Sequence, residues 1–168
     1  MSMNNYILNL LNIEDRSIFI LPNIEERIIK NRKYKIIESI LTYIPDFCPC
    51  CGCVNESHNS IIKWGYKKNC KVKTPKISNC FSLLILHKQR FFCKHCNNNF
   101  IAETNVDDRN KNISNNTNLQ IRLELMEKKS EKDIAKRMDV SASVIDRILN
   151  EISSHTILRH PTLPKSMK

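Results

Sequence analysis

The stretch Cys48-Pro-Cys-Cys51-Gly52 is followed by the stretch Cys93-Lys-His-Cys96, and 41 residues separate Cys51 from Cys93. A two-residue gap lets a tight turn direct two thiolates at one tetrahedral metal ion at about 2.3 Å, and two such pairs complete a closed structural zinc site. Gly52 favours the first turn, because the position after the second ligand often needs a positive φ. The sequence therefore predicts one structural Zn2+ ion bound by Cys48, Cys51, Cys93 and Cys96.

The other cysteines leave alternatives open around this site. Cys50 and Cys53 form a competing C-x-x-C pair, although Pro49 and Gly52 stand where the turn of the first register favours them. His58 and His95 are alternative ligands, but lone histidines are more often surface groups. A second zinc ion could in principle be bound by Cys50, Cys53, Cys70 and Cys80. Their irregular spacing favours the alternative, that these four cysteines are free thiols.

Composition places the chain among small globular proteins of a reducing compartment. It has 168 residues, 27 Lys+Arg, 17 Asp+Glu and a formal net charge of +10. Its apolar runs are shorter than the roughly 20 residues that span a bilayer, and it lacks the basic start of a signal peptide. We expect no membrane association and a cytoplasmic, bacterial, nucleoid-associated location, where thiols bind metal rather than form disulfides.

The segment 46–104 is predicted to be the zinc ribbon, with strands over 60–66, 82–87 and 89–92. The segment 1–45 is predicted to support it with a helix over 6–13 and strands over 34–37 and 40–44. A ribbon of this size has too small a core to be stable without its metal, so extra apolar residues would supplement it.

Positive charge is concentrated in the predicted ribbon. Residues 46–104 carry 9 Lys+Arg and 3 Asp+Glu, a net charge of +6. Lys63, Lys67 and Lys68 surround Trp64 and Tyr66. A basic stripe with interleaved aromatic side chains is typical of a nucleic-acid interface, because each neutralised phosphate releases condensed counterions. The alternative is a solvated lysine face.

Helical periodicity replaces the strand pattern after a predicted linker at 105–117. A first helix is predicted over 118–128, with Leu119, Arg122, Leu123 and Met126 on one side and Ile121 and Leu125 widening the apolar stripe. A second helix is predicted from an N-cap at Ser130 to about residue 138. The third helix would be capped by Ser141. We interpret 118–155 as a helix-turn-helix domain, with an ordinary three-helix bundle as the alternative, and 156–168 as a tail.

The predicted fold class is thus α+β, a small β-rich zinc ribbon followed by an all-α helix-turn-helix domain. The outer face of its third helix would read DNA bases, where Arg pairs with guanine and Asn with adenine. Asp146 on that face would repel phosphates unless it accepts from a cytosine amino group. Predicted base-reading residues are Ser141, Ser143, Arg147 and Asn150, and predicted phosphate contacts are Lys132, Lys136, Arg137, Lys63, Lys67 and Lys68.

Several motifs, taken in order, resemble the start of the ISL-three type insertion-sequence transposases. They are Leu41-Thr-Tyr, Cys48-Pro-Cys-Cys51-Gly, Ile61-Ile-Lys-Trp-Gly-Tyr, Lys88-Gln-Arg-Phe-Phe-Cys-Lys-His-Cys96, Phe100-Ile-Ala-Glu-Thr, Ile113-Ser-Asn-Asn and Lys132-Asp-Ile-Ala-Lys-Arg-Met-Asp-Val-Ser141. The resemblance implies a zinc ribbon and a helix-turn-helix that recognise the terminal inverted repeats of a mobile element. In that family a metal-dependent catalytic domain with an RNase H-like fold follows.

The sequence departs from the family where it ends, at Leu163-Pro-Lys-Ser-Met-Lys168, around the segment that leads to the first catalytic aspartate. No acidic triad can be carried over, and Asp107 and Asp108 are interpreted as solvated or helix-capping. We therefore expect no catalysis by this chain, but sequence-specific binding of double-stranded DNA, as the N-terminal or truncated part of a DDE-type transposase.

Two other functions stay open on the sequence. One is a regulator of transcription or transposition without catalytic activity, and the other is a zinc-stabilised module that binds proteins. A second copy of the chain and full-length transposase are the candidate protein partners.

Overall fold

The computed structural model describes residues 3–107, 112–127 and 129–157. They fall into two compact units, Met1–Thr117 and Asn118–Lys168. The first contains α1 (Met3–Leu10), β1 (Ile18–Ile29), β2 (Arg32–Leu41), β3 (Ile61–Ile77), β4 (Cys80–Cys93), β5 (Asn99–Ile101) and the start of α2 (Asn115–Met126). The second contains the rest of α2, α3 (Glu131–Met138) and α4 (Ala142–Ile157).

The strands form one mixed sheet in the order β1-β2-β4-β3, with β5 paired to the end of β4. The β2–β4 pair is parallel, and the other pairs are antiparallel. β1–β2 and β3–β4 are therefore two hairpins joined side by side, with β1 and β3 as outer strands. The connection from β2 to β3 carries the first cysteine pair, and the end of β4 carries the first residue of the second pair.

Both hairpins close with two-residue turns whose central residues have positive φ. The φ values are 49° and 58° at Lys30 and Asn31, and 49° and 62° at Ser78 and Asn79. Two consecutive positive φ angles are typical of the type I′ turn, whose twist matches that of antiparallel strands.

The main core lies on the sheet face that α1 covers. Ile18, Ile37 and Leu84 are almost fully buried there together with Ile7 and Leu8 of α1. Neighbouring residues along a strand point to opposite faces. A smaller buried cluster accordingly lies on the other face and consists of Tyr34, Ile36, Leu83 and Ile85, with Phe81 packed against it.

The predicted fold class is wrong. The chain is built mainly on a five-stranded mixed sheet followed by short helices, and no all-α helix-turn-helix domain is seen among the described residues. The first predicted helix exposes the stripe that should face its core: Leu119 is 56% exposed, Leu123 53% and Met126 75%. α2 buries Ile121, which was predicted only to widen that stripe. A three-helix domain needs that apolar stripe inside, so its exposure is the physical reason for the correction.

The sheet is also larger than predicted. β1 was not predicted at all. It opens with the short apolar run 18–21, but its residues after Ile18 are partly or fully exposed and show no regular alternation. β3 continues to Ile77, well beyond the predicted strand end at residue 66. The N-terminal strands therefore share a sheet with the cysteine-bearing segment.

The later helices differ locally from expectation. Ser130 precedes α3 as predicted, but its hydroxyl makes no capping hydrogen bond. Asp139 ends α3 in the left-handed conformation, with a φ of 53°. Fully buried side chains in this unit are Ile121, Ile134, Ile145 and Ile148.

Some predictions fall beyond the part of the chain that the structure describes. Asp108 and most of the predicted tail, residues 158–168, lie outside the described residues. Within the described residues, none of the helices combines the length and the apolar character needed to cross a bilayer.

Candidate metal centre and basic strand

The first cysteine pair lies on a tight turn between Phe47 and Val54, which form an isolated antiparallel bridge. The N–H of Cys48 donates to the carbonyl of Cys53 at 2.8 Å, and the N–H of Gly52 donates to the carbonyl of Cys48 at 2.8 Å. Gly52 has a φ of 74°, as the sequence indicated. These bonds point both cysteines of the pair to the same side of the turn.

The second pair repeats this arrangement at the end of β4. The N–H of Cys93 donates to the carbonyl of Asn98 at 3.0 Å, and Asn97 has a φ of 56°. Asn97 follows Cys96 just as Gly52 follows Cys51. The sequence analysis missed its role, although Asn is the residue besides Gly that most readily adopts this conformation.

Two contacts hold the two turns beside the start of β3. Lys94 N–H donates to the carbonyl of Ser60 at 2.9 Å, and Ile61 pairs directly with Cys93. Buried Asn55 accepts from Ile61 N–H and donates to the carbonyl of Pro45, each at 2.9 Å. Sequence analysis did not identify Asn55, because a lone Asn in a turn-rich segment gives no signal of burial.

The four predicted ligands lie together. Their sulfur atoms are all within 4.8 Å of one another. The Cys48 and Cys96 sulfurs are 3.8 Å apart, and so are the Cys51 and Cys93 sulfurs. A tetrahedral site with metal–sulfur bonds of about 2.3 Å has sulfur–sulfur edges of about 3.8 Å. The four cysteines can therefore bind one metal ion without a large rearrangement.

The local electrostatics also suit a bound cation. Burial opposes the ionisation of Cys48, but two backbone N–H groups of its own turn lower its pKa to about 7. The backbone N–H of Cys96 lowers the pKa of Cys93. Although the backbone N–H of Cys53 acts in the opposite direction, burial and the neighbouring thiols raise the pKa of Cys51 to about 12. Backbone N–H groups thus favour the thiolates of Cys48 and Cys93, whereas the crowding of thiols disfavours that of Cys51. Four thiolates at this spacing would need a positive ion between them.

The alternative ligands lie elsewhere. In the described part of the chain, the one cluster of at least three metal-ligating side chains contains none of Cys50, Cys53, Cys70 and Cys80. Cys70 lies on β3, where its thiol contacts the carbonyl of Lys67. His58 and His95 are exposed and lie outside the cluster. The structure therefore groups Cys48 with Cys51, and not Cys50 with Cys53.

The predicted basic stripe lies on one outer strand. β3 contains six lysines and no acidic residue, and its exposed lysines are Lys63, Lys67, Lys68, Lys71 and Lys76. Trp64 is 57% exposed and its ring lies 5.4 Å from that of Phe92. Three irregularities interrupt the pairing of β3 with β4, and Gly65 lies in the first with a φ of 78°. Such bulges redirect side chains along an edge strand.

The predicted base-reading residues share one face of α4. Ser143, Arg147 and Asn150 line a shallow depression together with Asp146. The hydroxyl of Ser141 hydrogen-bonds that of Ser143 at 2.8 Å. The Arg147 Nε lies 4.0 Å from a Glu151 carboxylate oxygen and is buried without a hydrogen-bond partner.

The predicted phosphate contacts of the helical unit lie on α3. Lys132, Lys136 and Arg137 are exposed there. Arg137 forms an ion pair with Glu124 of α2, so part of its charge is already neutralised. β3, with six lysines and no acidic residue, carries more positive charge than these three side chains.

Asp107 is neither solvated nor a helix cap. Its carboxylate accepts from the Lys88 Nζ at 2.9 and 3.1 Å, and its side chain is only 8% exposed. This residue thus contributes to the packing of β4.

Comparison of the chain with protein-family models, with curated proteins and with solved structures gives no match.

Proposed function

We propose that this chain binds double-stranded DNA through β3, and that a zinc ion held by Cys48, Cys51, Cys93 and Cys96 fixes that strand in place. The observation that carries the proposal is the composition of β3: six lysines without an acidic residue, on an outer strand that begins beside the metal site. Lysines at this density would neutralise several phosphates and release their counterions.

The donor set supports zinc as the metal. Four thiolates in tetrahedral arrangement are typical of zinc or of iron–sulfur sites, and the 3.8 Å sulfur–sulfur edges fit a single zinc ion. Four protein ligands would leave no position for water, as in a structural zinc site. The role of zinc would be to hold β3 and β4 together at the end where Ile61 meets Cys93.

The charge of such a site leaves β3 basic. Four thiolates and one Zn2+ ion carry a net charge of about −2. β3 alone carries six lysines, and Lys67, Lys68 and Lys71 stand on the part of the strand that runs away from Cys93. Electrostatic attraction of a polyanion would therefore be strongest along the middle of β3.

The resemblance to ISL-three type transposases supports a more specific target, the terminal inverted repeats of a mobile element. Base contacts would be needed for that specificity, since phosphate contacts position a protein without reading sequence. Arg147 and Asn150 on the open face of α4 have the side-chain chemistry for guanine and adenine. We propose no strand cleavage by the described residues.

One other interpretation of β3 has support. Lysines on an outer strand also prevent edge-to-edge aggregation of sheets. β3 is such a strand, so its charge could serve solubility while another surface binds a protein partner. That interpretation predicts weak DNA binding at every salt concentration.

The test is titration of fluorescent duplex DNA with the metal-loaded chain over a range of salt concentrations. The variant Lys63→Gln/Lys67→Gln removes two charges from β3, and Arg16→Gln/Lys30→Gln removes two exposed charges elsewhere. We expect log K against log salt to have a slope of about −0.9 for each phosphate contacted, and the β3 variant to reduce that slope by about 2.

An equal change of the salt slope in the two variants would contradict the assignment of β3 as the DNA-binding strand. A slope near zero for the unmodified chain would contradict DNA binding altogether and favour the protein-binding alternative. Metal analysis of the purified chain and the absorption spectrum of its cobalt-substituted form would test zinc separately.

A further inference from the structure

The outer edge of β1 is capped along its first half only. The side chain of Asn4 in α1 accepts from Ile20 N–H at 2.6 Å and donates to the carbonyl of Ile18 at 3.4 Å. These bonds satisfy backbone groups that point away from β2. Pro22 follows, and it has no N–H to offer a neighbouring strand.

The second half of β1, residues 22–29, is exposed throughout. Among the strands that the structure describes, β1 pairs with β2 alone. Ile24 is 43% exposed and Ile28 is 79% exposed. Both pair with odd-numbered residues of β2, Ile37 and Lys33, so they lie on the same face of the sheet. An exposed strand edge with apolar side chains is a template for pairing with another strand.

We infer that this edge, residues 24–28, pairs antiparallel with the same residues of a second copy of the chain. Closed dimers with a two-fold axis are the commonest oligomers of soluble proteins, and their interface must be complementary to itself. With the axis at Glu26, Ile24 faces Ile28 of the second copy and Glu25 faces Arg27 of the second copy. Each contact occurs twice.

Charge complementarity selects this register. Glu25 and Arg27 lie on the face opposite to Ile24 and Ile28 and already form an ion pair with each other. The two-fold register lets each of them face an opposite charge across the new interface. An axis at Glu25 or at Arg27 would bring like charges together and would form no Glu25–Arg27 contact between the copies.

Glu26 is the residue placed on the axis, where two like charges would meet. Its carboxylate lies 2.6 Å from the Lys33 Nζ of β2. The hydrogen bond and charge of Lys33 lower the pKa of Glu26. The two carboxylates at the axis are therefore each neutralised by a lysine of their own chain.

This dimer does not depend on the proposed DNA binding, since β1 and β3 are opposite outer strands of the sheet. It would extend the sheet from five strands to ten and leave β3 of each copy accessible. Residues 24–28 place three charged residues between two exposed isoleucines, and the proposed register gives both kinds of side chain a partner in the second copy.

The test is a pair of charge variants of the full, metal-loaded chain, measured by light scattering after size exclusion and by native mass spectrometry. Glu25→Arg makes positions 25 and 27 both positive, and Arg27→Glu makes them both negative. Each variant alone should dissociate at least about tenfold more readily than the unmodified dimer, because like charges then face each other. An equal mixture should form the heterodimer, in which opposite charges face each other again.

Lys67→Glu is the control, since it reverses a charge on the opposite outer strand. Circular dichroism will establish that each variant is folded, and Ile28→Lys offers a second means of breaking the interface without changing the Glu25–Arg27 ion pair. A monomeric unmodified chain at about 100 µM, far above the Kd of a stable dimer, would overturn the inference. The proposed interface would also be wrong if both charge variants dimerised as tightly as the unmodified chain. It would be wrong as well if the mixture of the two variants formed no heterodimer.

Discussion

At the scale of single residues, the candidate metal centre depends on two left-handed residues as well as on four cysteines. Gly52 and Asn97 each follow the second cysteine of a pair, with φ values of 74° and 56°. Each lets the turn fold back so that backbone N–H groups point at the cysteines. The ligand residues were predictable because this geometry is local.

Replacement of Cys93 by serine should abolish tight metal binding and destabilise the sheet. Cys93 is fully buried at the end of β4, and a serine there replaces a thiolate ligand by a poor one. Elemental analysis should find about one ion per chain before the change and much less after it, with a lower thermal midpoint. Cys50→Ser, at an exposed cysteine outside the cluster, should retain the metal. Loss of metal in both variants would contradict the assigned ligand set.

Replacement of Arg147 by alanine should relax sequence preference. If Arg147 reads a base, its loss should cost about 1 to 3 kcal/mol on a preferred duplex and little on a scrambled one. Lys68→Ala, at an exposed phosphate-contact candidate on β3, should weaken binding to both alike. A preferred duplex can be selected from a randomised library and both variants titrated against it. Equal losses on both duplexes for Arg147→Ala would count against base reading.

At the scale of elements, the sheet depends on two tight turns built without glycine. Ser78 and Asn79 join β3 to β4, and both have positive φ. Asn tolerates this conformation, whereas Ser does so less well. The Ser78 position of this turn is therefore strained.

Replacement of Ser78-Asn79 by Asn-Gly should stabilise the protein by about 1 kcal/mol, because that pair is preferred in type I′ turns. Urea unfolding will measure this as a higher midpoint with an unchanged slope. Asn59→Gly is the matched control, since Asn59 has a φ of −106° and gains nothing from glycine. Its stability should fall by about 0.5 to 1 kcal/mol. A lower midpoint for the turn variant would contradict the turn assignment.

The elements that sequence analysis missed share a physical cause. β1 is an outer strand whose residues are mostly exposed, so its apolar positions do not alternate cleanly. β3 is interrupted by bulges, and each extra residue shifts the alternation to the other face. Hydrophobic periodicity in a sequence reflects which side chains are buried, and few side chains of these two strands are buried.

At the scale of the whole molecule, the metal site belongs to the sheet unit and not to the helical unit. Cys48 and Cys93 are part of the same buried cluster as Ile37 and Leu84. Ile134, Ile145 and Ile148 are buried within the second compact unit. The two units should therefore respond differently to loss of the metal.

Chelation should speed amide hydrogen exchange in 46–60 and 91–101 and leave the protection of α3 and α4 unchanged. The first two segments contain the cysteine turns and the strands attached to them, and metal binding there contributes directly to folding free energy. Mass spectrometry of exchange with and without chelator will measure this. If the amide protons of α3 and α4 lost protection as fast as those of the cysteine turns, the stability of these helices would not be independent of the metal.

The sequence by itself identified the four cysteines that lie together and the concentration of positive charge, because both are local features of residue type and spacing. It did not determine how the elements combine. The parallel pairing of β2 with β4, which joins two hairpins into one sheet, depends on contacts between residues more than 40 positions apart, such as Ile37 and Leu84. The expectation of an all-α helix-turn-helix domain failed for the same reason. The apolar pattern of α2 left two faces available, and only tertiary packing decided that Ile121 is buried while Leu119 and Leu123 stay exposed.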